Sequence, residues 1–335
     1  MTNKKVLFIS LLLIVAIFTL TACGTTQVDT NQNEQGNSQT DVQTGNEDEK
    51  TEIVVKHSLG ETVVNKNPEK IIVFDYATLD SLDSMGIEII GLPKSNIPAF
   101  LEKFNDDKYE NIGTLFEPDF EKIYELQPDV IFVTGRQAEV YDELAKIAPT
   151  VYFEVDGADY MGSVTKNLKI LGEIFGKEEF VEEELANINK SIEELNKKAT
   201  ESGKNALIVM ANDGNISAFG EGSRFGIIHG DFGFEPVDKG IKVDNHGNSI
   251  TFEYILEKNP DYVFVIDRAA TTGGSVTAEQ IFDNEIIKQT DAHKNGKIIY
   301  LSSQVWYVAS GGLTGTKIMI EDITKGSGLN YLLIQ

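Results

Sequence analysis

The chain holds only three guanidinium groups, Arg136, Arg224 and Arg268, against 26 lysines. Two of the three sit at matching ends of a repeated phrase. PDVIFVTGR spans 128–136 and PDYVFVIDR spans 260–268, an offset of 132 residues. Lysine evidently serves wherever charge or solubility is enough, so the arginine positions ask for something else. A guanidinium is a planar fork of donors, stays protonated at every relevant pH and stacks on aromatic faces. Those properties suit a ligand that presents several oxygen anions and flat rings. Structural ion pairs are the ordinary alternative for any arginine. The placement favours a ligand, because both repeated arginines follow a strand, and open parallel sheets bind ligands beyond their strands' carboxyl ends. Arg224, in GEGSRFGII, follows a glycine-rich turn at a comparable rim position.

Other chemistry is sparse. His57, His229, His246 and His293 are scattered without metal-ligand spacing. His246 stands in the turn-rich run DNHGN, and Tyr307 follows the only tryptophan, Trp306. Imidazole nitrogen and phenolate oxygen are both competent Fe(III) ligands. A turn histidine and a packed tyrosine would also satisfy the pattern. TTGGS at 271–275 and SGGLTG at 310–315 lack the lysine of a nucleotide loop, and no G-x-S-x-G elbow occurs. An enzyme is therefore not expected, an esterase being the remote alternative. A net charge of −24 argues against a nucleic-acid partner.

The elements that must position these residues alternate between strand and helix patterns. KIIVFD, EIIGLP, DVIFVTG and TVYFEV read as buried strands, separated by ATLDSLDSMG, DFEKIYELQ and QAEVYDELAKIA with helical spacing. The scheme returns after residue 200 with NALIVMAND, TFEYILEKN, DYVFVID, TAEQIFDNEIIKQT and KIIYLS. DFEKIYELQPDVIFVTGR aligns on TFEYILEKNPDYVFVIDR without a gap, matching Phe120/Phe252, Glu121/Glu253, Ile123/Ile255 and Glu125/Glu257 besides the residues already named. The prediction is an α/β protein of two homologous Rossmann-like lobes joined by one long helix. Its boundaries are 52–158 for the first lobe, 159–177 for the linking helix, 178–325 for the second lobe and 326–335 for a tail. If the lobes face each other, Arg136 and Arg268 look into one cleft.

Ahead of the lobes, Lys4 and Lys5 precede the apolar run VLFISLLLIVAIFTL and then TAC. This reads as a secretory signal over 1–22, too short to span a bilayer comfortably. Residues 23–51 are rich in Gln, Asn, Thr and acids, with little to bury, and read as a solvated tether. The single cysteine, Cys23, excludes an internal disulfide.

LTAC at 20–23 resembles a lipoprotein lipobox. Together with VTGRQ, GEGSRFG, VDNHGNSI, VIDRA and WYVASGG, it makes the chain resemble the substrate-binding lipoproteins of iron-siderophore ABC importers. Within them it is most similar to the catecholate and petrobactin binders, which have a single helical spine of the class III type. The resemblance implies a monomeric, lipid-anchored receptor on the outer face of the cell membrane of a Gram-positive bacterium, lipidated at Cys23. It implies no intrinsic cofactor, with a ferric catecholate siderophore as ligand, held by Arg136, Arg224 and Arg268 near Trp306. His246 and Tyr307 would fill two iron positions when the siderophore supplies only four donors. Glu121 and Glu253, one per lobe, would dock on the ABC permease, with Glu125 and Glu257 in reserve, although acids also suit a helix's first turn without any partner. Haem, corrinoid and hydroxamate carriers are the alternatives within this class of binder.

Overall fold

The computed structural model describes residues 51–329. Cys23, the leader and most of the tether fall outside that range, as do residues 330–335. The described chain opens with a hairpin that the strand patterns did not anticipate, β1 (Glu52–His57) paired antiparallel with β2 (Gly60–Asn65).

The first lobe is then a parallel sheet of β3 (Ile71–Val73), β4 (Gly91–Leu92), β5 (Glu110–Asn111), β6 (Val130–Val133) and β7 (Thr150–Tyr152), in the order β5-β4-β3-β6-β7. Helices α1 (Tyr76–Ser84), α2 (Phe120–Leu126) and α3 (Tyr141–Leu144) connect them. Two helices lead onward, α4 (Tyr160–Phe175) and α5 (Glu178–Ser202), broken at Gly176, whose left-handed backbone (φ 59°) ends α4.

The second lobe contains β8 (Asn205–Asn212), β9 (Asn215–Phe219), β10 (Glu235–Pro236), β11 (Asn248–Ser249), β12 (Tyr262–Asp267) and β13 (Ile298–Tyr300). Its sheet runs β11-β9-β8-β12-β13, with β10 beside β8. Its helices are α6 (Phe252–Lys258), α7 (Arg268–Thr272), α8 (Ala278–Phe282), α9 (Asp291–Lys294), α10 (Ser303–Val308) and α11 (Leu313–Ser327).

The repeated phrase folds alike in both lobes, a helix followed by a strand, and its residues have structural work. Asp119 and Thr251 cap α2 and α6, and Gln127 and Asn259 end those helices in the left-handed conformation. Asp129 accepts the amides of Glu69 and Lys70 at 2.9 and 2.8 Å, while Asp261 accepts Asn205 at 3.1 Å and pairs with Lys204. Each repeated aspartate thus ties its own strand to the start of the neighbouring one. The apolar runs are continuous because both sheet faces are covered. Val130 and Phe132 face the large core, while Ile131 and Val133 face the outer one. Tyr262, Phe264 and Ile266 alternate in the same way with Val263 and Val265.

The large core does not stop at a lobe boundary. It runs from Val73 and Phe132 through Leu168 and Ile188 to Ile208, Phe264 and Ile323. Helix α11, within the stretch assigned to the second lobe, returns to pack on α1 of the first. There the buried Asp80 carboxylate accepts the Gly315 amide at 2.8 Å. A Cβ on Gly312 would stand 2.3 Å from that same carboxylate, so the two helices meet almost backbone to side chain. Helix α4 leads into the long helix α5, and α11 braces them.

Candidate functional site

Each arginine is delivered by the local structure that its sequence specifies. Arg136 lies in the 3-10 segment Gly135–Val140 that follows β6, whose start is held by the buried Gln137 side chain accepting the Thr134 amide at 3.1 Å. Arg268 opens α7 directly after β12, where Asp267 caps the helix through the Ala270 amide and also accepts from Ala278. Arg224 leaves the 220–225 loop, which nests on the chain just before α4. A Cβ on Gly157 would stand 1.9 Å from the Ser223 carbonyl oxygen, so only glycine admits that contact.

All three side chains meet at Tyr307 on α10. Arg136 Nη2 and Arg224 Nη2 donate to its main-chain carbonyl at 3.1 and 2.8 Å, and Arg268 Nε donates to its hydroxyl at 2.7 Å. The guanidinium carbons of Arg224 and Arg268 stand 4.7 and 5.6 Å from the Tyr307 ring centre, and Arg224 also covers Phe225 at 5.1 Å. Among the described residues every ion pair is made by a lysine, and no carboxylate pairs with any of the three arginines. The structural-ion-pair alternative therefore does not describe them. Burial, and then the nearby Arg136 charge, push the Arg224 guanidinium down from its ordinary value, though a guanidinium keeps its proton at neutral pH. The result is a concentration of positive charge whose hydrogen bonds go to the oxygens of one tyrosine, with the Asp75 and Glu154 carboxylates on the same wall but not ion-paired to it.

These groups border a cavity of about 280 Å³ at the carboxyl ends of the first lobe's strands, its wall including Asp75, Arg136, Tyr152, Glu154, Arg224 and Tyr307. Arg268 is not on that wall and reaches it through the Tyr307 hydroxyl. Asp75 caps α1, its carboxylate accepting the Thr78 amide and hydroxyl, each at 2.8 Å. Burial pushes the Asp75 carboxyl up, against the pull of the Thr78 hydrogen bonds and Arg136.

Two expectations are corrected. Trp306 does not face the cavity: its side chain is fully buried, with Nε1 donating to Asp322 at 3.0 Å and the ring 6.5 Å from that of Phe225. One helical step of about 100° separates it from Tyr307, so a wall-facing tyrosine turns the tryptophan inward. His246 is exposed on a turn closed by Gly247 (φ 75°), its amide donating to Asp244 at 2.8 Å, and it is not on the cavity wall with Tyr307. Among the described residues no group of three or more His, Cys, Asp or Glu is placed to hold a metal ion.

Glu121 and Glu253 are exposed in the first turns of α2 and α6. Reasoning from sequence missed Asp75, Tyr152 and Glu154. The signal for Asp75 was present, since it follows the strand run IIVF and precedes a helix, as Asp267 does.

Two α/β lobes on a helical spine, with converging guanidinium groups at the strand ends, define a bilobal ligand-binding protein of the class III type. The chain belongs to the periplasmic binding protein family, whose model matches residues 71–305. It is 45% identical over 330 residues to the petrobactin-binding protein YclQ of Bacillus subtilis, an alignment covering 97% of this chain and 99% of that one. The crystal structure of YclQ superposes with a TM-score of 0.81 at 47% identity, covering 85% of this chain and 99% of that one. The ferric-anguibactin-binding protein FatB of Vibrio anguillarum is 37% identical, over 82% of this chain and 88% of its own length. The periplasmic catecholate-siderophore binding protein VctP of Vibrio cholerae aligns with a TM-score of 0.79 at 36% identity, over 82% of this chain and 99% of its own.

Proposed function

We propose that this protein is an extracytoplasmic receptor that binds an anionic ferric catecholate in the cleft at Tyr307 and delivers it to an ABC importer. The observation that carries this is the set of three arginines without a carboxylate partner, gathered on one tyrosine. An iron(III) centre wrapped by catecholates offers several anionic oxygens for bidentate donors and flat rings for guanidinium stacking. Arg136, Arg224 and Arg268 would exchange Tyr307 for the chelate without displacing any donor from the metal. Tyr307 itself would be a wall contact, its phenolate donating to iron only for a chelate that leaves positions open. YclQ, FatB and VctP, as named, support a siderophore ligand, and YclQ supports a petrobactin-type chelate as the first to try.

The same reading assigns Glu121 and Glu253 to permease docking, since they occupy equivalent exposed helix starts of the two lobes, matching a pseudo-symmetric partner. LTAC at 20–23 supports lipid attachment at Cys23. Titrating the purified body with ferric catecholate, ferric hydroxamate, haem and a corrinoid tests the ligand class. Saturable binding of the catecholates alone, with their charge-transfer band retained, is expected; binding of haem, corrinoid or hydroxamate with flat catecholate responses would overturn the reading.

A further inference from the structure

The arginine cavity also carries a carboxylate, Glu154, that forms no ion pair among the described residues. Glu154 follows β7, which pairs in parallel with β6 in the register Val133 to Tyr152. Glu154 and the Gly135–Arg136 turn therefore leave adjacent strand ends on the same side, and both line the cavity with Arg224. The main chain at Glu154 is held by Asn167, whose Nδ2 donates to the Glu154 carbonyl at 3.0 Å, and the Ser58 hydroxyl donates to Oε2. The other acid on the wall, Asp75, is occupied in capping α1 through Thr78. Burial, and then the Glu154 charge, raise the Tyr152 hydroxyl's pKa, keeping it a neutral neighbour.

A free carboxylate beside the binding place of an anion opposes any ligand that is negative throughout, which makes it an element of discrimination. It becomes favourable only when the ligand brings a cation to that side. We propose that Glu154 is a specificity-determining residue that receives a protonated aliphatic amine in the chelate's linker, so that the preferred ligand is a ferric catecholate of mixed charge. This rests on the ferric-catecholate reading above and deepens it. An ammonium is a compact point charge with rotatable donors, matched to an exposed carboxylate that already accepts one hydroxyl.

The test uses two bis-catecholamides of equal length, one linked by spermidine and one by octane-diamine, so that a single NH₂⁺ replaces a CH₂. Each is titrated as its ferric complex into the wild-type protein, Glu154→Gln and Glu154→Asp. The wild type should prefer the spermidine chelate by about three- to tenfold, within the range for a partly screened charge pair. Glu154→Gln should bring that ratio close to one, and Glu154→Asp, which keeps the charge, should retain most of it. An unchanged ratio in Glu154→Gln, or no preference in the wild type, would overturn the proposal. Failure of the wild type to bind either chelate would instead remove the catecholate reading, and the proposal with it.

Discussion

Arg136 and Arg224 donate to the same acceptor, the main-chain carbonyl of Tyr307, at 3.1 and 2.8 Å. One arginine comes from the first lobe and the other from the 220–225 loop beyond the spine, so the two like charges are held together across the molecule by a single neutral oxygen. Such an arrangement favours an arriving anion, because the anion relieves a repulsion that Tyr307 only tolerates.

Arg136→Lys and Arg224→Lys each preserve charge and remove the fork. Each is expected to weaken ferric catecholate binding by about ten- to a hundredfold, or about 1.4–2.8 kcal/mol. Isothermal titration at fixed salt checks this. Wild-type affinity in both variants would show that charge alone suffices.

Gly157→Ala probes the same site from a distance. The added methyl would meet the Ser223 carbonyl oxygen, so the loop bearing Arg224 must shift. Strain of about 1–3 kcal/mol is expected in stability, together with an affinity loss. Ala substitution at Gly203, the left-handed end of α5 (φ 63°), should also cost stability but leave affinity unchanged, so ligand titration of both variants separates the two positions.

Asp80 makes stability depend on pH in a defined direction. Burial raises its carboxyl from 3.8 to about 6, outweighing the hydrogen bonds from Gly315 and Thr314. A folded-state value above the unfolded one means that the native protein holds the proton more tightly. The contribution is fully present below about pH 4 and is lost as pH rises through 6, about 2–3 kcal/mol in all. Asp231, also raised to about 6 by burial and then Asp159, adds in the same direction. Asp238, held down at about 2 by Lys258 and its other donors, acts oppositely below pH 4. His57 and His229, both lowered by burial, act oppositely in this window, so the Asp80 contribution is read from the variant. Asp80→Asn should make the dependence of the unfolding midpoint on pH between 5 and 7.5 more positive than in the wild type, by several degrees. Scanning calorimetry across this window measures it; an unaltered slope in the variant would exclude Asp80 as its source.

Glu121→Arg and Glu253→Arg leave the cavity untouched. If these glutamates dock the permease, each reversal should lower siderophore-dependent iron uptake at least tenfold while titrated ligand affinity stays within twofold, since repulsion between like charges across an interface amounts to roughly 1–3 kcal/mol. Normal uptake in the double variant would place docking elsewhere.

Much of the architecture was written locally. The buried runs at 130–133 and 262–267 are apolar throughout because both faces of a parallel sheet are covered, and that composition is visible without coordinates. The repeated Pro-Asp was equally legible as a repeat, although the partners of its aspartates, Glu69 and Lys70 in one lobe and Asn205 in the other, lie far along the chain. So was the scarcity of arginine, which singled out Arg136, Arg224 and Arg268 before any geometry was known.

The tertiary structure decided what those arginines share. Tyr307 presents its carbonyl and hydroxyl to them only because α10 is anchored to β12, where the Asp267 amide donates to the Ser303 hydroxyl at 2.8 Å. The same helix turns Trp306 inward, and the 244–247 turn leaves His246 in solvent. The return of α11 onto α1 and the presence of Glu154 beside Arg136 likewise join residues that no local pattern links. Periodicity and capping act within a turn or a strand, whereas convergence depends on how whole helices and sheets pack, and that is settled by the summed burial of a core running through both lobes.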